Sequence, residues 1–175
     1  MSESASSSAA LPIAHAFLRL LVVVNWITGA AIIVLLAITP NDQWIMSAFK
    51  LSPSPDTDRL IMALRAIALI GLAAIPLHYI VLKRLLAMVN TVRAGDLFVA
   101  TNAERLKTIA WTLLTLQLMS MIIGAIAKSV STPAHPLNLD AGFSINGWLA
   151  VLLTFLLARV FAEGTLMRDD LRGTV

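Results

Sequence analysis

The run Leu20–Thr39, LLVVVNWITGAAIIVLLAIT, contains no charged residue. Its length matches the ~20 apolar residues that an α-helix needs to cross the ~30 Å hydrocarbon core of a bilayer. A helix satisfies its own backbone hydrogen bonds in lipid, so the run predicts a membrane-spanning helix. It is too long for the apolar region of a secretory signal peptide, and no basic residue precedes Arg19, so we interpret it as a retained span.

The rest of the chain repeats this pattern. Apolar residues make up 58% of the 175 residues and charged residues 13%, with a mean hydropathy of +0.84; typical soluble domains have ~45–50% and ~25%. We therefore predict an all-α fold, an integral membrane four-helix bundle with antiparallel helices. It forms a single domain over residues 11–175, after a disordered tail at 1–10. The predicted spans are residues 20–39, 60–82, 108–127 and 145–161.

The distribution of Lys and Arg predicts the orientation of these spans. Nine basic residues fall on one predicted side: Arg19, Lys83, Arg84, Arg93, Arg105, Lys107, Arg159, Arg168 and Arg172. Three fall on the other: Lys50, Arg59 and Lys128. Because basic residues are in excess in the cytoplasmic loops of membrane proteins, we expect both termini, and the loop between spans two and three, to be cytoplasmic.

Among the polar side chains well inside the predicted spans, two amides and one guanidinium are the most costly in lipid. Asn25 and Gln117 predict hydrogen bonds between helices. Two interpretations are open for Arg65: it extends to the outer headgroups, or it pairs with Asp140 or a ligand in an outward-facing cavity. The span interiors contain no Asp or Glu, which argues against an ion-coupled transporter.

The sequence contains none of the common catalytic or metal-binding motifs. There is no nucleophile elbow, HExxH motif, phosphate-binding loop or dinucleotide fingerprint, and there is no cysteine. His135 is expected to be an ordinary loop residue, because the other two histidines belong near the opposite side of the membrane. The outer segment 41–49 predicts a short interfacial helix. We expect no enzymatic activity, no cofactor and no direct binding of nucleic acid.

The stretch Gly95–Trp111, GDLFVATNAERLKTIAW, separates spans two and three. Its first two residues favour a chain reversal. Thr101 and Glu104 have the spacing of a capping box, with Asn102 as an alternative cap. A helix is therefore expected to begin here and to continue into span three.

This stretch and the C-terminus resemble a bacterial membrane-protein family catalogued as domain of unknown function 2975. Members typically carry a Gly, a Phe, an Asn, a Leu and an Ile leading into span three. Here those are Gly95, Phe98, Asn102, Leu106 and Ile109, with Asp96 and Trp111 beside them. Members also tend to end with a Gly, an acidic pair and a closing Thr-Val or Thr-Ile. Here those are Gly164, Asp169, Asp170, Thr174 and Val175. Met167 departs from the pattern, since a leucine is usual at that position.

The resemblance implies a four-span bacterial inner-membrane protein and supplies no catalytic residues. Members are often encoded beside a small helix-turn-helix regulator, which implies a regulatory pair. The leading hypothesis is a non-enzymatic signalling or regulatory protein whose cytoplasmic turn and C-terminal tail form one surface for such a partner. The candidate residues are Gly95, Asp96, Phe98, Asn102, Glu104, Arg105, Asp169 and Asp170.

Three other interpretations of the sequence stay open. The turn and the tail simply cap helices and seal one end of the bundle. The chain is a small transporter or permeation factor, with Asn25, Arg65 and Gln117 lining a shared cavity. It is a structural subunit of a larger membrane complex.

Overall fold

A computed structural model describes residues 3–38, 46–47, 53–95, 98–132 and 139–173. Some predicted features lie outside these residues. They are most of the interfacial helix at 41–49, the loop residue His135, the turn residue Asp96 and the closing pair Thr174 and Val175. All regular secondary structure in the described part of the chain is helical, which confirms the all-α class.

Four long helices account for that structure apart from Met46 and Ser47, which are also helical. In chain order they are α1 (Glu3–Ile38), α2 (Pro55–Arg93), α3 (Ala100–Val130) and α4 (Ile145–Gly173). Each is long enough and apolar enough to cross a membrane. The four predicted spans are therefore confirmed as helices with the length and composition of membrane spans.

The helices continue well beyond the apolar runs. With 39 residues, α2 is about 58 Å long at ~1.5 Å per residue, roughly twice the thickness of a bilayer core. It runs past residue 82 to Arg93, while α3 begins eight residues before the predicted span and α4 continues past residue 161. The predicted span boundaries mark only the apolar part of each helix, because hydropathy does not detect a charged helical extension.

The first helix also begins earlier than expected. It starts at Glu3, inside the segment 1–10 that the sequence predicts as a disordered tail, so the backbone differs from that expectation from residue 3 onward. The segment contains several alanines, and alanine has the highest helix propensity. Pro12 lies inside α1, where its ring removes one backbone hydrogen bond.

The two ends of α2 follow familiar capping rules. Ser54 is the N-cap, and its hydroxyl accepts a hydrogen bond from the backbone N–H of Thr57 at 3.2 Å. Pro55 occupies the first turn, where its missing N–H costs nothing. After the helix ends, Gly95 has a φ of +86°, a conformation that glycine adopts without strain. The turn therefore forms at the glycine where the sequence predicts a chain reversal.

The predicted capping box at the start of α3 is wrong. The N-cap is Val99, which makes no side-chain capping bond, and its carbonyl accepts from the backbone N–H of Asn102 at 2.8 Å. Thr101 and Glu104 are exposed, whereas the side chain of Asn102 is fully buried. The contacts of Asn102 with α2 fix the orientation of this first turn, and the local spacing of Thr101 and Glu104 does not.

The helices pack in chain order, α1 against α2, α2 against α3, and α3 against α4. Within the described residues the backbones of α1 and α4 do not approach each other, so the bundle is open between them. Buried residues are most numerous on α3, where they include Ile109 and Ala110. Many large apolar side chains are exposed, such as Trp26 at 56% and Leu152 at 64%. An outward apolar surface of this extent suits contact with lipid.

Candidate functional site

Parts of three helices lie at one end of the molecule. There α2 ends and α3 begins, and Phe161 in the second half of α4 contacts Phe98, just before α3. We call this region the basic end, because it carries Lys83, Arg84, Arg93 and Lys107. Both sequence segments that carry the family resemblance lie here, so this end is the first candidate site.

A buried amide joins α2 and α3 at the basic end. Asn102 is 0% exposed, and its side-chain oxygen accepts hydrogen bonds from Arg105 Nη1 at 2.9 Å and from the Thr91 hydroxyl at 3.0 Å. The Arg105 guanidinium also donates to the carbonyl of Ala87 at 3.2 Å. Because a buried polar group is costly unless it is hydrogen-bonded, this network specifies how α3 sits against α2.

An aromatic contact joins α4 to the same region. The ring of Phe98 lies 5.4 Å from the ring of Phe161, centroid to centroid. A Cβ atom placed on Gly164 would lie 2.9 Å from Phe98 Cδ1, so the glycine makes room for the ring. The two sequence segments that the hypothesis assigns to one surface therefore touch each other. We call Thr91, Phe98, Asn102, Arg105, Phe161 and Gly164 the end cluster.

The predicted interaction residues divide into two groups. The first group is Phe98, Asn102 and Arg105, which belong to the end cluster and hold helices together. Of these, Asn102 is buried. Gly95, Glu104 and Asp170 are exposed. Asp169 belongs to α4, and nothing further is described for it. The sequence did not indicate Thr91 or Phe161, because their partners are distant in the chain.

The two side-chain amides well inside the spans, Asn25 and Gln117, make contacts between elements. Asn25 Nδ2 donates to the carbonyl of Ile75 at 3.2 Å and so joins α1 to α2. Gln117 Nε2 approaches the carbonyl of Gly142 at 3.4 Å, so its partner is the turn before α4 and not another helix. Arg65 is half-buried on α2, and its pairing with Asp140 stays a prediction.

Asn25 and Gln117 also line one central cavity of about 550 Å³, to which all four helices contribute. Its other polar lining residues are Thr28 and His78, and most of the remaining lining is aliphatic. Arg65 is not among the lining residues. Of the three residues that the transporter hypothesis places in a shared cavity, the structure brings together two.

Glycines allow the close contacts around Gln117. A Cβ placed on Gly147 would lie 2.9 Å from Gln117 Cδ, and one on Gly124 would lie 2.6 Å from Gly142 Cα. The backbone N–H of Gly142 donates to the Ser120 hydroxyl at 3.2 Å. The turn before α4 is thereby held against α3. Within the described residues, no group of three or more His, Asp or Glu side chains is arranged to hold a metal ion.

The fold and these sites define a class: an all-α protein with four helices of membrane-spanning length. The sequence profile described as "Protein of unknown function (DUF2975)" matches residues 43–175. The chain belongs to this family, as the resemblance in its two patterned segments predicts. The matched region includes α2, α3 and α4, and with them the whole end cluster. No match is found among curated proteins or among solved structures.

Proposed function

We propose that this chain is a non-enzymatic bacterial inner-membrane protein with antiparallel spans and cytoplasmic termini, and that its basic end presents a surface to a cytoplasmic regulator. The observation that carries the proposal is the contact of Phe98 with Phe161 and Gly164. Because of this contact, a movement of α4 in the membrane also moves the exposed residues beside the turn between α2 and α3.

Contacts between the helices support the antiparallel arrangement. Along α1 the contact residues rise from Trp26 to Ile32, while along α2 they fall from Tyr79 to Gly71. The same opposite order relates α2 to α3, where Ala87 and Thr91 contact Arg105 and Asn102. It also relates α3 to α4, where Gln117 and Trp111 contact Gly147 and Phe155.

The levels of the basic side chains support the orientation. Toward the basic end, each helix reaches a basic residue about 9–18 Å from the level of Asn25, Ile75, Gln117 and Gly147. These basic residues are Arg19, Lys83, Arg84, Lys107 and Arg159. In the other direction, Arg65 lies about 27 Å from Lys83 along α2. Lys128 lies about 31 Å from Lys107 along α3. That separation matches a ~30 Å hydrocarbon core, with the richer basic belt on the cytoplasmic side.

Crosslinking from the exposed part of the basic end tests the proposal. A photoreactive residue is placed at Thr101, and a matched one at Ser129, which is exposed at the other end of α3. In native membranes we expect Thr101 to capture one small DNA-binding protein, identified by mass spectrometry, and Ser129 to capture none. Capture of no soluble protein from Thr101 would contradict the proposal.

Charge substitutions separate a binding surface from a purely structural one. Arg93→Glu and Glu104→Lys change exposed residues, so we expect them to reduce capture at unchanged folded yield. Asn102→Leu disrupts a buried network, so it should lower both. If Asn102→Leu alone reduces capture of the regulator, and capture falls in proportion to the folded yield, then the basic end seals the bundle and binds no regulator.

A further inference from the structure

The central cavity has no Asp, Glu, Lys or Arg among its lining residues. Along the helices, its two amides Asn25 and Gln117 lie about 9 and about 15 Å from Arg19 and Lys107. At its basic end, the lining residues Leu21 and Leu82 lie within two residues of Arg19 and Lys83. The polar lining groups are two amides, a hydroxyl and an imidazole, on Asn25, Gln117, Thr28 and His78. A mainly apolar cavity with a few convergent polar groups is the usual form of a small-molecule site.

The two amides have hydrogen-bonding capacity directed at this cavity. A side-chain amide offers two N–H donors and a carbonyl acceptor, and one donor of Asn25 is used by the carbonyl of Ile75. The contact of Gln117 with Gly142 is 3.4 Å, longer than the ~2.7–3.2 Å of a good hydrogen bond. Gln117 is therefore weakly held, although it is only 8% exposed, and a ligand with a better acceptor can replace this contact.

The opening of the cavity points toward lipid. It is flanked by Val24 and Thr28 of α1 and by Gly147 and Ala150 of α4, and these two helices do not pack against each other within the described residues. Val24 is 47% exposed, and Ala150 is exposed as well. A ligand that enters between α1 and α4 comes from the bilayer and not from water.

We propose that the central cavity binds an uncharged lipid, whose hydroxyl or carbonyl group hydrogen-bonds to Gln117 and Asn25 while its chain occupies the aliphatic part. A charged headgroup at the depth of the two amides meets no Lys, Arg, Asp or Glu side chain in the lining and is costly in the bilayer interior. The volume of about 550 Å³ lies within the ~300–1,000 Å³ of typical ligand sites. The proposal is independent of partner binding at the basic end.

The test uses the purified full-length chain in phosphatidylcholine nanodiscs. A diacylglycerol with a photoactivatable group in one acyl chain is compared with a phosphatidylcholine that carries the same labelled chain, and labelled peptides are mapped by mass spectrometry. We expect the diacylglycerol probe to label α1 and α4 beside the cavity several-fold more strongly than the phosphatidylcholine probe does. Loss of one or two hydrogen bonds in Gln117→Met should reduce that preference about three- to tenfold.

A matched pair of tryptophan substitutions tests the location. Ala150→Trp fills the cavity from its rim and should abolish labelling there. Ala73→Trp adds the same side chain to an exposed position of α2 that does not line the cavity, and should leave labelling unchanged. Asn25→Leu provides an independent test if Gln117→Met lowers the folded yield.

Each other outcome contradicts the proposal. Equal labelling by the two probes means that the cavity holds an ordinary acyl chain. Labelling that persists in Ala150→Trp means that the probe binds elsewhere. Capture of a regulator at the basic end is unaffected by any of these results.

Discussion

The buried amide of Asn102 gives the sharpest stability prediction. Asn102→Leu keeps the branched shape of the side chain with its four heavy atoms, and it removes the acceptor for Arg105 and Thr91. A hydrogen bond to a charged donor contributes about 1.5–3 kcal/mol and a neutral one about 0.5–1.5 kcal/mol. The Thr91 hydroxyl has one proton and an alternative acceptor in the carbonyl of Met88 at 2.7 Å, and Arg105 keeps the carbonyl of Ala87. We therefore expect a net loss of about 2–3 kcal/mol.

The assay is thermal unfolding of the purified protein in mild detergent, followed by circular dichroism. For a chain of this size, ~1 kcal/mol corresponds to ~2–4 °C, so Asn102→Leu should lower Tm by roughly 4–12 °C. Thr101→Ala, at an exposed neighbour, should change stability by no more than about 0.5 kcal/mol. In a double-mutant cycle with Arg105→Met, the two losses should be less than additive. An unchanged Tm for Asn102→Leu, or fully additive losses, would refute this account of the network.

Three glycine substitutions give further predictions from the same unfolding assay. Gly124→Ala places a Cβ 2.6 Å from the backbone Cα of Gly142, so the turn before α4 must move. We expect the free energy of unfolding to fall by about 1–3 kcal/mol. A wild-type Tm would contradict this close packing. For Gly164→Ala the three nearest atoms to the new Cβ all belong to the ring of Phe98, so we expect a smaller loss that Phe98→Leu relieves. No relief would show that this contact is not the cause. Gly95 has a φ of +86° with open space around it. Backbone strain alone should therefore make Gly95→Ala lower the free energy of unfolding by about 1–2 kcal/mol, and Gly95→Asn should lower it clearly less. Equal losses in the two variants would show that the strain is not responsible.

Much of the fold follows from the sequence because lipid imposes a simple requirement. A long uncharged run such as Leu20–Thr39 must satisfy its backbone hydrogen bonds internally, so four apolar runs predict four helices. The helical start of α3 ahead of its apolar run was predicted, and the helix does begin there, at Ala100. The extensions of α2 to Arg93 and of α4 to Gly173 were not predicted, since they are charged and hydropathy does not detect them. The predicted capping box was wrong because its spacing reports only on neighbouring residues. The position of Asn102 depends instead on its hydrogen bond with Thr91 on another helix.

The sequence by itself therefore determined the class of protein, the number of helices and the family, through composition, the length of apolar runs and two short motifs. It also identified Asn25 and Gln117 as unusual polar residues. Only the tertiary structure decided what these residues do. It placed Asn102 in a buried network, seated Phe98 on Gly164, and brought Asn25 and Gln117 to one cavity that opens between α1 and α4. Hydropathy follows from each residue's own transfer free energy, whereas a cavity or a network exists only when side chains distant in the chain meet.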